Sequence, residues 1–494
     1  METATSKKGI YHQITKLLDR IRMRPKGDAN DTEDTTFDNG DGKVFNIQNP
    51  FKIPGYLINK VEDLEVLIRA FEFSKGMRWA LLLLFVEVKR RAAQVFCRAP
   101  SPTKRFSPEP LAAENETAQD SESDPVSLEG APFSLLGSDG TERYFTIKHL
   151  IYKAKCTAGQ GSTVFLVDCG GEDDEKWAPK GKQFVVKFSF PSKTHPSEAE
   201  FVIRARELAS NGQEWALQHL PFIRDCVTIP FGPDAVQRRH SRFSTICKEY
   251  HERCTLHITI FEPLCSLDEL KTPEEAAQVF YDILQVHCWL YTEAKILHRD
   301  LSMGNITFRR VGGKVYGVLN DLDLSSFLPL RDEPSSQWRT GTKPYMAYDL
   351  LTKDWREGPL YRHDLESLFY IMLILCCHYD SPDKALPFKD WPYHKWFTSG
   401  DATVATDKGV FLVWNQSAFP LQSHFERFRK WLDDIYRCFS VGYMQRQLRR
   451  RGDPLKDAEQ QTLLGNVTYE KMNEIMHSFD GEQLEKRRLG FGQH

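Results

Sequence analysis

The chain has no C-x-x-C pair. Its 11 cysteines are odd in number and scattered, and only Cys376 and Cys377 adjoin. That argues against a structural zinc site or a disulfide scaffold and for a reducing compartment. Nor does the chain have a long apolar run. The two longest, Trp79–Val86 and Leu368–Cys377, fall short of the roughly 18–20 residues a bilayer requires. Charge of one sign is missing as well: 65 Lys+Arg stand against 68 Asp+Glu, a net charge of -3. No global positive field exists to hold nucleic acid. The opening METATSKKGIYHQITKLLDRI has no signal-peptide apolar core. We therefore expect an intracellular protein, cytoplasmic or nuclear, with neither membrane nor nucleic acid as partner.

What is present is enough for a sizeable core. The hydrophobic share is 41% over 494 residues, and at about 150 residues per domain two to four folding units are expected. Residues 1–42 read as an N-terminal arm and acidic linker, since 27–42 carry six acids, no base and little that packs. Residues 43–97 read as a small α/β module, with helical spacing over Val61–Phe73 and a strand-like run from Trp79 to Val88. Residues 98–139 are largely Pro-, Ser- and acid-rich and read as a second linker. From 140 to 480 short β-type runs (Tyr144–Ile147, Thr163–Val167, Phe184–Phe190, Thr255–Phe261) give way after Pro273 to long helical segments. Strands first and helices afterwards predict an α+β, two-lobed domain, divided at about 263/264. Residues 481–494 read as a tail. Two short basic clusters, Arg449-Arg450-Arg451 and Lys486-Arg487-Arg488, read as solvated helix faces.

The strongest chemical signal is His298-Arg299-Asp300-Leu301-Ser302-Met303-Gly304-Asn305, loop-like after the helical run Ala276–Glu293. An Asp with an Asn five residues on serves phosphoryl transfer from one loop. The carboxylate orients an attacking hydroxyl and takes its proton, while the amide oxygen reaches a metal on nucleotide phosphates. Downstream, Val318-Leu319-Asn320-Asp321 ends an apolar run in an acid, and Asp321 suits a second metal ligand. Upstream, Gly159 and Gly161 lie in a turn between strand-like runs, where glycine lets backbone N–H groups approach phosphate. Lys187, in Val185-Val186-Lys187, can pair with phosphates if an acid holds it. That acid is expected on the next helix, Ser197–Ala209, as Glu198, with Glu200 the fallback.

In this order the residues resemble the eukaryotic protein-kinase fold. Gly341-Thr342-Lys343-Pro344-Tyr345-Met346-Ala347-Tyr348-Asp349 resembles the segment that closes an activation loop, with Tyr348 and Asp349 replacing Pro and Glu. Arg362-His363-Asp364-Leu365-Glu366-Ser367-Leu368 resembles the start of a buried central helix, in which Asp364 braces the catalytic-loop backbone. Together with Asp321-x-Asp323 in place of D-F-G, these motifs resemble the fungal-type protein kinase family over about residues 140–480. Trp79 and Glu87-Val88-Lys89 match the segment that family carries ahead of its core. The resemblance implies a bilobal fold, ATP and Mg²⁺ as cofactors, and Ser/Thr hydroxyls of a protein substrate as acceptors. It implies Asp300, Lys187 and Asn305 as catalytic residues, and Gly159, Gly161, Lys187 and Glu198 for the nucleotide. Asn305 and Asp321 are implied for the metal, and Phe261-Glu262-Pro263 for the adenine.

The sequence departs from the pattern in three places. Val164 replaces the third loop glycine. Ser302 stands where a Lys is usual, and Asp323 replaces a flexible Gly. The last two keep a small-molecule phosphotransferase open, and a non-enzymatic pseudokinase scaffold is a further reading. Glu87-x-Lys89 alone suggests a metal-dependent nuclease, but a solvated strand edge fits it better. Ser325, Ser326, Ser335, Ser336 and Thr340 lie between Asp321 and Gly341. If one is phosphorylated, Arg299 is the candidate partner for the new charge.

Overall fold

A computed structural model describes residues 36–38, 44–46, 128–153, 161–170, 177–179, 181–192, 195–229, 255–329, 341–352, 354–414, 418–449 and 456–488. Gly159 and most of the 43–97 module, including Trp79, Glu87 and Lys89, lie outside these residues, as do Ser335, Ser336 and Thr340. β1 (Thr36–Asp38), in the stretch read as an acidic linker, pairs antiparallel with β2 (Val44–Asn46) at the start of the 43–97 module.

The chain divides into two compact units, residues 1–193 with 225–260 and residues 194–224 with 261–494. All the described helices fall in the second unit, which holds short strands as well. The first unit is built on a six-stranded sheet. Its strands are β3 (Pro132–Leu136), β4 (Glu142–Lys153), β5 (Thr163–Cys169), β6 (Gln183–Ser189), β7 (Ile223–Ile229) and β8 (Leu256–Phe261), in the spatial order β3-β4-β5-β6-β8-β7. Alternation puts Phe165, Val167 and Cys169 of β5 and Phe184 and Val186 of β6 on one buried face. They pack with Phe133, Phe145 and Ile258 into a core of their own. Lys187 sits opposite Val164 in the β5–β6 ladder and is buried.

The second unit holds the larger core. Helix α1 (Glu198–Ala209) begins at Ser197, which accepts from Glu200 N, while the Glu200 carboxylate accepts from Ser197 N at 3.0 Å. This reciprocal cap fixes the helix start. α1 falls inside the range read as a small lobe but clusters with the helical unit. Its apolar stripe (Phe201, Val202, Ala205, Ala209) is buried there, and the Phe201 and Phe327 rings lie 4.4 Å apart.

Helix α2 (Pro273–Thr292) starts at the Thr272 cap with Pro273 in the first turn and is buried from Ala276 to Leu290 except at Gln278. Helix α3 (Tyr361–His378) is buried at every position, as the Leu368–Cys377 run predicts. Further helices are α4 (Asp401–Trp414), α5 (Arg429–Arg449) and α6 (Tyr469–Met476). Short strands β9 (Cys265–Ser266), β10 (Ile296–Leu297), β11 (Ile306–Val311), β12 (Lys314–Leu319) and β13 (Ser326–Phe327) frame the loop between α2 and α3. No described helix is long and apolar enough to cross a membrane.

The Lys486-Arg487-Arg488 cluster is not a solvated helix face. Arg488 is buried, its backbone N–H donates to Gln285, and its guanidinium reaches Cys288, Thr292 and Glu293. Arg487 donates to Asp282 at 3.2 Å, and Glu485 exchanges bonds with Gln278. A periodicity reading misses this because the partners on α2 lie about two hundred residues upstream. Arg449, by contrast, is half exposed and pairs with Glu459.

Candidate active site

The catalytic-type loop runs from β10 to β11. At its start, β10 pairs with β13, placing Leu297 opposite Ser326. At its end, Asn305 O accepts from Asn320 N at 2.9 Å, tying β11 to the segment after β12. The loop is therefore clamped at both ends by backbone bonds.

Its middle is held by buried side chains. His298 donates from Nε2 to Asn320 O at 3.0 Å and accepts Asp300 N at Nδ1. Burial keeps its pKa below the usual histidine value, so the ring is neutral and this tautomer satisfies both nitrogens. Arg299 has φ of 72°, a left-handed conformation that costs a non-glycine residue about 1–2 kcal/mol. Asp364 on α3 secures it, with Oδ2 accepting Arg299 N at 3.0 Å and His287 Nε2 at 2.9 Å. His287 Nδ1 in turn accepts the Tyr469 hydroxyl of α6 at 2.9 Å. Burial alone pushes Asp364 up, but the hydrogen bond from His287 holds it below the ordinary carboxylate range. The bracing role expected of Asp364 is thus matched by geometry. The His287–Tyr469 extension has no local sequence signal.

Asp300 projects from this frame. Its Oδ1 accepts Thr342 N at 2.8 Å and Thr342 Oγ at 3.0 Å. Burial first, and the Asp321 carboxylate second, push its pKa up to about 6 against the pull of the Thr342 bonds. Thr342 lies in the motif segment, but its hold on Asp300 is a contact across 42 residues that spacing does not reveal. Asn305 donates from Nδ2 to Asp300 O at 2.8 Å. That bond uses the amine end of the amide and turns Oδ1 the other way, toward use as an acceptor or ligand.

Asp321 also has a left-handed backbone, with φ of 60°. Its carboxylate lies within 4.8 Å of those of Asp323 and Glu198. Glu198 is buried and accepts Leu322 N at 3.1 Å. His195 bonds Asp323 O at 2.9 Å. Of the two glutamates weighed on α1, Glu200 is spent on the cap and Glu198 faces this cluster. Three carboxylates so close repel one another when ionised, and a divalent cation or an ammonium would relieve that repulsion, as would a proton. Hard oxygen donors of this kind suit Mg²⁺.

Ser326 Oγ accepts from Arg299 Nη1 at 2.7 Å, so one of the loop serines singled out by sequence does touch that guanidinium. Ser325 is fully buried beneath His298. Asp349, which replaces the usual Glu, is buried between Arg362 (2.6 Å) and Arg446 (2.5 Å), and His363 lies at 3.5 Å. Those guanidiniums overcome the burial penalty and hold it well below the ordinary range.

Among families of known proteins, residues 224–376 match the one described as Fungal protein kinase. The matched residues lie within the stretch, about 140–480, over which the sequence resembles that family. Among solved structures, the chain is similar to the Cydia pomonella granulovirus kinase PK-1. The identity is 12% and the TM-score 0.37, covering 67% of this chain and 92% of that one. No curated protein matches.

Proposed function

We propose that the protein transfers the γ-phosphoryl group of ATP to Ser/Thr hydroxyls of proteins, with Mg²⁺. The observation that carries the reading is Asp300. A carboxylate pushed to about 6 is ionised at neutral pH yet basic enough to take a proton; it shares the braced loop with Asn305, and the Asp321 carboxylate, from the segment after β12, is near enough to raise it. Thr342 holds Oδ1, so Oδ2 is assigned to the acceptor hydroxyl. As the hydroxyl oxygen bonds phosphorus and the bond to ADP breaks, Asp300 takes the proton. Asn305 Oδ1 and Asp321 are the residues assigned to Mg²⁺, which when bound neutralises the phosphate charge. Gly159, Gly161 and Lys187 are assigned to the phosphates, and Glu198 to Lys187, on motif order along the chain. The family match supports a protein acceptor.

The test is a radiolabelled γ-phosphate assay with peptide pools. Asp300→Asn should lower incorporation by roughly 10²–10⁴ while the thermal shift with Mg-ATP persists. Lys187→Met should weaken both. Unchanged turnover in Asp300→Asn rejects the assignment. A second reading, a small-molecule phosphotransferase, is favoured by the Asp323 carboxylate beside Asp321. Label entering aminoglycoside- or choline-like alcohols and not peptides would select it.

A further inference from the structure

Lys408, on α4, is fully buried and far along the chain from every residue assigned above. Its Nζ donates to Pro344 O at 2.8 Å and Met346 O at 2.6 Å. The remaining side is faced by two rings, Tyr370 at 3.9 Å and Trp396 at 4.9 Å from their centroids. The two carbonyl oxygens take two of its N–H donors in a site that water does not reach, where burial pushes its pKa well below the usual lysine value.

The two carbonyls belong to a tight turn. Tyr345 N and Met346 N both donate to Thr342 O, at 2.9 and 3.2 Å. The other end of that turn is Thr342 itself, bound through N–H and hydroxyl to Asp300. The turn is packed as well as bonded: Tyr345 and Met346 are buried, and Tyr345 meets Phe397 edge-on. Gly341, with φ of 134°, lies so close to Met346 that a Cβ there would come 2.9 Å from its terminal methyl. Lys408 therefore grips one end of a turn whose other end is fastened to the proposed base.

We propose that Lys408 is a positioning residue for the acceptor. By holding the Pro344 and Met346 carbonyls it fixes the 342–346 turn, and through Thr342 it sets where Asp300 and the surface beside it meet an acceptor chain. The kinetic part rests on the reading of the site as a phosphotransferase; the structural part does not.

Two measurements separate these parts. Hydrogen exchange at the amides of Thr342, Tyr345 and Met346 is compared in wild type, Lys408→Met and Lys408→Arg. Lys408→Met keeps the length and loses both donors, so exchange should rise roughly ten-fold or more, with Lys408→Arg in between. Wild-type exchange in Lys408→Met overturns the proposal, whether or not the protein phosphorylates anything. If Lys408→Met does not fold, Lys408→Gln replaces it. Intermediate exchange is then expected, and wild-type exchange overturns the proposal. In the transfer assay with a peptide acceptor, Lys408→Met should raise the acceptor KM roughly ten-fold while the ATP KM stays within about two-fold, and Lys408→Arg should recover part of the loss. Faster exchange with an unchanged acceptor KM refutes the positioning role and leaves Lys408 a packing residue. A wild type without transfer refutes the phosphotransferase reading and leaves the exchange result standing.

Discussion

Replacing the proposed catalytic base should make the protein more stable, and the gain should depend on pH in a definite sense. Asp300 is pushed from an ordinary 3.8 up to about 6, chiefly by burial and then by Asp321. A raised folded-state pKa means that the native protein binds this proton more tightly than the unfolded chain. The favourable contribution is complete below the unfolded value and is lost as pH rises through about 6. At pH 8 the native state carries an ionised carboxylate at a cost of up to about 3 kcal/mol, taking about two pKa units at 1.36 kcal/mol each. Asp300→Asn removes the charge and keeps an oxygen for the Thr342 bonds. Urea melts in EDTA should therefore show the variant more stable than wild type by up to that amount at pH 8. The advantage should fall through pH 6 and be absent near pH 4. Mg²⁺ should narrow the gap at pH 8, because positive charge at Asp321 relieves the same repulsion. A variant equal to or weaker than wild type at pH 8 without metal refutes the argument. Such a gain in stability on loss of the base is the usual mark of a site organised for reaction rather than for folding.

Two further substitutions test the frame around the site. Asp349→Asn strands the Arg362 and Arg446 guanidiniums in a buried pocket and should cost about 3–5 kcal/mol in urea melts. Here the sign reverses: Asp349 sits well below its ordinary value, so its stabilisation is full at neutral pH and fades only as pH falls through the folded pKa. A variant gap that is constant from pH 8 to pH 5 is expected; one that vanishes at pH 7 contradicts the pairing. Gly317→Ala puts a Cβ 2.6 Å from Val279 O, where β12 lies against α2. It should destabilise by about 1–3 kcal/mol, read as a lower midpoint at unchanged slope, and a neutral result contradicts the close packing.

Much of this was legible from local pattern. Alternation gave β5 and β6, the Ser197 and Thr272 caps sit where α1 and α2 begin, and the apolar run of α3 announced a helix with no solvent face. The loop from His298 to Asn305 could be read because its chemistry is compressed into one short segment. What could not be read is contact between distant segments. Thr342 on Asp300, Tyr469 on His287 and Lys408 on the 342–346 turn join residues 42, 182 and more than 60 positions apart, and no spacing pattern announces which residue meets which. The basic cluster at 486–488 misled for the same reason. Charge in sequence suggests solvent until the acid that receives it, Asp282, is seen in space.

That docking has a bearing on how the protein is made. Asp282, whose burial pushes it up to about 7, receives Arg487 only from 205 residues downstream. At ribosomal speeds of roughly 5–20 residues per second, α2 emerges on the order of ten to forty seconds before the strap that covers it. During that interval the helix carries an acidic group with no counter-ion, one that stays hydrated or takes up a proton. Completion of the helical unit is thus timed by the arrival of residues 485–488. A fusion partner attached beyond them should need a spacer long enough to let them seat.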